Sequence, residues 1–90
     1  MRFGWDEEKS AWNQQTRGLS FAESKPVFLD PYAIERYDAK SSTIEERYIR
    51  IGKAPAGLLT VVYTDRPDEL RWIISVRRAT RKEKENYYEQ

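Results

Sequence analysis

The segment from Arg71 to Tyr88, RWIISVRRATRKEKENYY, joins an apolar strand pattern to a dense group of Lys and Arg residues. Arginine binds phosphate through a planar fork of donors, and tyrosine can stack on a nucleobase. The segment therefore indicates a face that binds phosphate groups. The alternative is a solvated edge that serves solubility, with the positive charge balanced by Glu83 and Glu85.

Strand alternation predicts where this charge points, because successive side chains of a strand lie on opposite faces. In a strand from Leu70 to Val76, an apolar set falls on one face and suits the core: Trp72, Ile74 and Val76. The opposite face would carry Arg71, Ser75 and Arg77, with Ile73 between them. We expect Arg71 and Arg77 to share a concave cationic pocket near the last helix.

The residues that follow this strand strengthen the prediction. Arg78 stands at the strand end, and Arg81 and Lys82 open the next helix. Basic residues in a first helical turn oppose the helix dipole. Such local conflicts tend to occur at functional sites.

Two acidic groups are further candidates for chemistry. Glu46, in the run Glu45-Glu46-Arg47, could act as a base beside a cation, or the run could be a solvated strand edge. The acids at positions 6–8 are better explained by the helix dipole than by a metal, since adjacent helical positions diverge around the axis. Lys9 lies in the same first turn.

Composition excludes several function classes. The 90 residues contain no Cys and no His, so thiolate catalysis, Cys-based zinc sites and imidazole bases are all absent. Net charge is +1, so anion binding must come from local clustering. No apolar run could span a membrane and no signal peptide is recognisable. We expect one domain, 1–90, in the cytoplasm, with no metal and no cofactor.

The elements that must position these residues can be predicted from capping and turn signals. The N-terminal part reads as a strand (Phe3 to Trp5), a helix from Asp6 to about Arg17 ended by Gly18, and a second helix that starts at the Ser20–Glu23 capping box. Pro26 should kink or shorten that second helix, and Asp30-Pro31 should stop it.

The rest reads as four strands and a helix. The strands are predicted at Ala33 to Asp38, Glu46 to Ile51 (ending at Gly52), Leu58 to Thr64 and Leu70 to Val76. Thr80 and Glu83 form a capping box for a helix to about Tyr88. Short links between strands predict an α+β fold, β-α-α-β-β-β-β-α, with a small antiparallel sheet and two N-terminal helices on one of its faces.

Several phrases together resemble the BrnT toxins of type II toxin–antitoxin systems. They are FGWDEEK, RGLSF, VFLDP, EERYIRIG, LLTVVYTDR and IISVRRATRKEKENY. The resemblance implies a ribonuclease with a RelE-like fold. It also implies a BrnA-like antitoxin with a ribbon-helix-helix domain, RNA as substrate, and contact with operator DNA only through that antitoxin. The family usually reads Lys-His-Gly where this chain has Thr16, Arg17 and Gly18.

The expected chemistry is attack of the RNA 2′-hydroxyl on the adjacent phosphate without a metal. The predicted roles are phosphate stabilisation by Arg77, Arg78 and Arg47, proton acceptance by Glu46 or Lys9, and protonation of the leaving group by Tyr88 or Tyr87. Substrate binding is predicted for Arg17, Arg71, Arg81 and Tyr87.

Other readings remain open. If the family's His takes part in proton transfer, Arg17 leaves a catalytically weak binding module that acts in antitoxin binding and operon repression. A plain RNA- or DNA-binding domain is a third reading. An antitoxin could cover the basic face or dock on the outer strand edge.

Overall fold

The computed structural model describes residues 1–40 and 43–90 of the chain. The elements, in chain order, are β1 (Arg2–Trp5), α1 (Glu7–Arg17), a 3₁₀ helix (Phe21–Leu29), β2 (Ile34–Tyr37), β3 (Tyr48–Ala54), β4 (Gly57–Arg66), β5 (Leu70–Arg78) and α2 (Arg81–Tyr88). Helix α1 has the predicted bounds, because the Asp6 side chain accepts from the N–H groups of Glu8 and Lys9 and Gly18 closes it with φ 72°.

The second predicted helix is wound as a 3₁₀ helix. Its capping box is present, with the N–H of Ser20 donating to Glu23 Oε2 at 2.7 Å. Pro26 lies inside it and has no N–H to give to an α-helical hydrogen bond. The segment keeps the tighter 3₁₀ winding throughout, and it buries Phe21 and Val27.

The five strands form one mixed sheet in the order β1-β5-β4-β3-β2. The predicted antiparallel meander holds for β2 to β5, but β1 pairs with β5 in parallel. The prediction of a purely antiparallel sheet is therefore wrong. Two helical segments separate β1 from the other strands, so the chain crosses over and no tight turn fixes the direction of β1.

A β-bulge in β5 decides which side chains share a face. Val62 pairs with Ser75 and Tyr63 pairs with Ile73, so Ile74 is an extra residue with no partner of its own. Alternation shifts by one at this point, which puts Ile73 and Val76 in the same core, each at most 1% exposed. The predicted face of Trp72, Ile74 and Val76 is therefore wrong, and so is the shared face of Arg71 and Arg77.

The core lies between the sheet and the 3₁₀ helix, on what we call the helical face. It contains Phe21 and Val27 from the 3₁₀ helix, Leu19 from the link before it and, from the strands, Leu59, Val61, Tyr63, Ile73 and Val76. Helix α1 joins this layer through Asn13, whose side-chain amide donates to the carbonyls of Leu19 and Val76. Because the Val76 carbonyl lies on β5 beyond the residues that pair with β1, Asn13 fastens α1 to the sheet.

Strand β3 runs through Gly52, where the sequence predicts its end. A Cβ at this position would lie 2.9 Å from Val27 Cγ1, so the glycine allows the 3₁₀ helix to approach the strand closely. The strand continues to Ala54, which pairs with Gly57 across a two-residue turn.

Helix α2 packs on the opposite side of the sheet, against Ile51 and Leu58, and covers only one end of it. Its first turn is fixed by Glu83, which accepts two hydrogen bonds from Arg77 at 2.7 and 2.9 Å and one each from the Thr60 hydroxyl and the Thr80 N–H. The bidentate hydrogen bond from Arg77 is the main reason that the pKa of Glu83 falls to about 2. This contact joins β5 to α2.

We predict that Glu83→Gln lowers the free energy of unfolding by about 2 kcal/mol at pH 7, because it removes the charged partner of Arg77. The folded-state pKa is depressed, so the contribution of Glu83 is complete above about pH 4.3, the ordinary pKa of Glu, and is lost as pH falls toward 2. Urea unfolding at pH 7 and pH 3 measures both effects. Glu85→Gln, which removes only an exposed i,i+4 pair with Arg81, is the matched control. Equal shifts in the two variants would contradict the prediction.

Candidate active site on the open sheet face

The side of the sheet opposite the helical face is left partly uncovered between α1 and α2. One row of paired residues crosses it, running Arg36, Ile49, Val62 and Ser75. Ile49, Val62 and Ser75 are half-buried. We call this surface, together with Trp72 and Ile74, the open face. Its centre is apolar and its margins carry cations.

A hollow of about 150 Å³ lies at the α1 margin of the open face. Three cations line it, Lys9 from α1, Arg47 from the start of β3 and Arg66 from the end of β4, beside Trp72. The Arg66 guanidinium lies 4.2 Å from the centre of the Trp72 ring, a cation–π distance that holds it over the indole. We call this the cationic hollow.

Glu45 is a carboxylate partner shared by two cations of the hollow. It lies 3.8 Å from Arg47 and 3.7 Å from Arg66. These side chains are 34–41% exposed, so each of these two pairs contributes little to stability. Replacing Glu45 by a phosphate group would therefore cost little at these two pairs.

Two further hollows continue the cationic hollow on either side. Towards α1, one of about 300 Å³ shares Lys9 and Ile74 with it and adds Trp12 and Arg17. At the other end, one of about 320 Å³ shares Glu45 and Arg66 with it and adds Glu46 and Tyr48. Because neighbouring hollows share lining residues, the three adjoin one another, and together we call them the groove.

The structure brings together one part of the predicted site. Lys9, Arg47, Arg17 and Glu46 all line this groove. Arg78 contacts the end of the groove nearest α1. Its Nη1 donates a hydrogen bond to the carbonyl of Arg17 and so caps the last turn of α1.

The other predicted arginines lie elsewhere. Arg77 lies on the side of the sheet that α2 covers, bound to Glu83. Arg71 lies on the helical face, 4.4 Å from the Tyr63 ring centre and 5.0 Å from that of Phe28, and its side chain donates two hydrogen bonds to Asp65. Arg81 projects into solvent from the first turn of α2 beside Glu85.

The two C-terminal tyrosines also lie apart from the groove. Tyr87 is buried and donates to Asp30 Oδ2 at 2.6 Å, a hydrogen bond that raises the pKa of Tyr87 to about 12. Its hydroxyl holds α2 to the end of the 3₁₀ helix. Tyr88 is exposed and packs edge-to-face on Tyr87 beside Lys53.

Sequence reasoning missed Arg66, Trp72 and Trp12 as parts of this site. Arg66 lies just beyond the predicted strand Leu58 to Thr64, and the strand alternation places Trp72 in the core. The Arg–Trp contact joins β4 to β5, so only strand register could reveal it. Trp12 is a large apolar residue on an otherwise polar stripe of α1. This exception to the helical pattern is visible in the sequence alone and could have indicated a binding residue.

Residues 1–40 and 43–90 contain no cluster of three or more carboxylate or imidazole groups placed to bind a metal ion. Nor does any helix in these ranges have the length and apolar character to span a bilayer.

Comparisons with known proteins place this site in context. Residues 5–83 match the family model described as "Ribonuclease toxin, BrnT, of type II toxin-antitoxin system". Among solved structures, the chain is similar to the Brucella abortus ribonuclease toxin BrnT, with a TM-score of 0.67 and 25% identity over 90% of this chain and 99% of that one. A search of curated proteins gave no significant match.

We predict that Glu45→Gln increases the affinity of the cationic hollow for a small polyanion such as inorganic triphosphate. Removing one negative charge about 4 Å from a bound anion in solvent-exposed surroundings should make the binding free energy more favourable by about 1 kcal/mol, which raises the affinity about fivefold. Isothermal titration at low salt measures the change. Glu89→Gln, at the exposed end of α2, makes the same change in net charge at a distant position. A similar gain in both variants would show that net charge alone is responsible.

Proposed function

Because the chain belongs to the BrnT family of ribonuclease toxins of type II toxin–antitoxin systems, we propose that the cationic hollow is where its RNA phosphate is bound and cleaved. The observation that carries this proposal is the convergence of Lys9, Arg47 and Arg66 beside an indole. Such preorganised donors stabilise the charge that builds on the phosphorus oxygens in the transition state. The arrangement would be that of a RelE-like ribonuclease.

The proposed reaction needs no metal. The RNA 2′-hydroxyl attacks the adjacent phosphorus, the bond to the 5′-oxygen breaks, and the products are a 2′,3′-cyclic phosphate and a 5′-hydroxyl. A base takes the 2′-hydroxyl proton, and an acid returns a proton to the leaving 5′-oxygen. DNA lacks the nucleophile and would bind without being cleaved.

Glu46 suits the role of base, because it lines the hollow at the β3 end and lies 3.5 Å from the Tyr48 hydroxyl. Lys9 could take that role only as a neutral amine, whereas the phosphate role proposed above uses its ammonium form. Arg17 takes the position where the family usually has His, and it lines the groove at the α1 end. As a permanent cation it would bind phosphate there and could not exchange a proton.

We predict that Lys9→Ala and Arg47→Ala each lower the single-turnover rate of RNA cleavage by about 10²–10³, the usual cost of one transition-state donor. Cleavage by the unaltered protein should persist in EDTA and leave 2′,3′-cyclic phosphate ends. Lys84→Ala removes an exposed charge on α2 and is the matched control.

Urea midpoints should show that all three variants remain folded. Unchanged cleavage in Lys9→Ala and Arg47→Ala would remove the cationic hollow from the reaction. A folded protein that binds RNA through these residues and never cleaves it would support the alternative, a catalytically weak module whose role is partner binding and operon repression.

The family implies an antitoxin partner, and we propose that it is a BrnA-like ribbon-helix-helix protein that covers the open face. Half-buried apolar side chains, Ile49, Val62 and Ile74, lie between cations at this surface. An amphipathic segment with acidic flanks would match that pattern better than RNA does, because RNA has no aliphatic groups to bury. The complex would contact operator DNA through the antitoxin.

Occlusion makes a definite prediction, because RNA and antitoxin would then compete for one surface. A 2′-deoxy oligonucleotide that binds the toxin should be displaced by stoichiometric antitoxin, as followed by fluorescence anisotropy. Docking on the outer edge of β2 would instead give a ternary complex. A stable complex of all three would overturn the occlusion proposal and leave the cleavage site untouched.

A further inference from the structure

We propose that Trp12 forms a stacking subsite for one unpaired nucleobase beside the cationic hollow. This inference rests on the function proposed above and adds a recognition element to it. Trp12 is 59% exposed on α1, although a tryptophan ring offers a large apolar surface.

The three tryptophans of the chain differ in their partners. Trp5 has the Lys25 ammonium 5.2 Å from its ring centre, and Trp72 has the Arg66 guanidinium over it. Among the described residues, Trp12 has no ring or cation stacked on it, and the hydrogen bond that the Thr16 hydroxyl donates goes to its backbone carbonyl and leaves the indole ring untouched. One face of the Trp12 indole is therefore available to a ligand.

Helix geometry aims this indole at the groove. Ser10 and Asn13 form the buried stripe of α1, and their side chains bond to the backbone of Phe21, Leu19 and Val76. Lys9 and Trp12 are three residues apart, so they are neighbours on the adjoining stripe. Both line the hollow of about 300 Å³ that continues the cationic hollow.

The charges around Trp12 favour a polyanion over an acidic or neutral peptide. Its hollow is lined by Lys9 and Arg17 and has no carboxylate among its described lining residues, whereas the cationic hollow contains Asp6 and Glu45. A nucleotide whose phosphate is held by Lys9 could place its base on Trp12. Because the base must be unpaired to stack, the subsite selects single-stranded RNA and tolerates any sequence.

The test uses a 2′-deoxy oligonucleotide as an uncleavable probe, with an abasic site moved along it one position at a time. With the unaltered protein, one abasic position should weaken binding by about 5- to 150-fold, equivalent to the ~1–3 kcal/mol of one base–aromatic stack. Trp12→Ala should weaken binding of the intact probe by a similar factor and lose its sensitivity to that abasic position. Trp12→Phe should retain part of both effects.

Tyr32→Ala is the matched control, because Tyr32 is 68% exposed and lies in a separate hollow beside α2. Equal affinity of Trp12→Ala and the unaltered protein would overturn the subsite, as would a loss that does not depend on the abasic position. Weaker antitoxin binding with unchanged probe binding would assign Trp12 to the partner and also overturn it.

The two proposals fail in different ways. If the cleavage proposal alone is wrong, the probe still binds with an abasic-sensitive position but RNA stays intact. If the stacking proposal alone is wrong, RNA is cleaved and Trp12→Ala binds normally. If the unaltered protein does not bind the probe, both proposals are rejected.

Discussion

The β-bulge at Ile74 is the constraint on which the arrangement of the molecule depends. One extra residue in β5 reverses the side-chain alternation between Ile73 and Ser75. Ile73 and Val76 can then both enter the core, although they are three positions apart in the chain. The same reversal sends the two ends of β5 to different surfaces, with Arg71 on the helical face and Arg77 under α2.

Four arginines near β4 and β5 show two kinds of contact with carboxylates. Arg71 and Arg77 each make a bidentate contact with a carboxylate, and these contacts join β4 to β5 and β5 to α2. Arg66 lies 3.7 Å from the half-buried Glu45, and Arg47 approaches the same carboxylate at 3.8 Å. A short bidentate contact serves the fold, whereas a longer contact such as that of Arg66 can be exchanged for one with a phosphate.

The open face has two properties, and each of them suits a different kind of ligand. Its apolar centre around Ile49 and Val62 would suit a protein partner, and the cations at its margin would suit nucleic acid. A toxin that must be silenced by an antitoxin needs both kinds of contact. If one surface provides them, binding of either ligand excludes the other, so neutralisation requires no conformational change.

Much of the candidate site could not be predicted, for a physical reason. The predicted site depends on regular side-chain alternation along β5. The bulge breaks this alternation, and whether a bulge forms depends on how core residues of several elements pack. Lys9, Arg47 and Arg17 are predicted site residues that do line the groove. They stand in a loop or near helix ends, so their positions do not depend on the alternation of β5. Their convergence with Arg66 and Trp72 depends on strand order and register.

The sequence by itself determined the local elements and the family. The caps of α1, the two capping boxes and the apolar strand patterns act over a few residues, so α1 and α2 have the predicted bounds. Only the tertiary structure decided the parallel pairing of β1, the 3₁₀ winding around Pro26, the bulge at Ile74 and the choice of partner for each arginine. These features depend on contacts between residues far apart in the chain, whose free energies no local pattern contains.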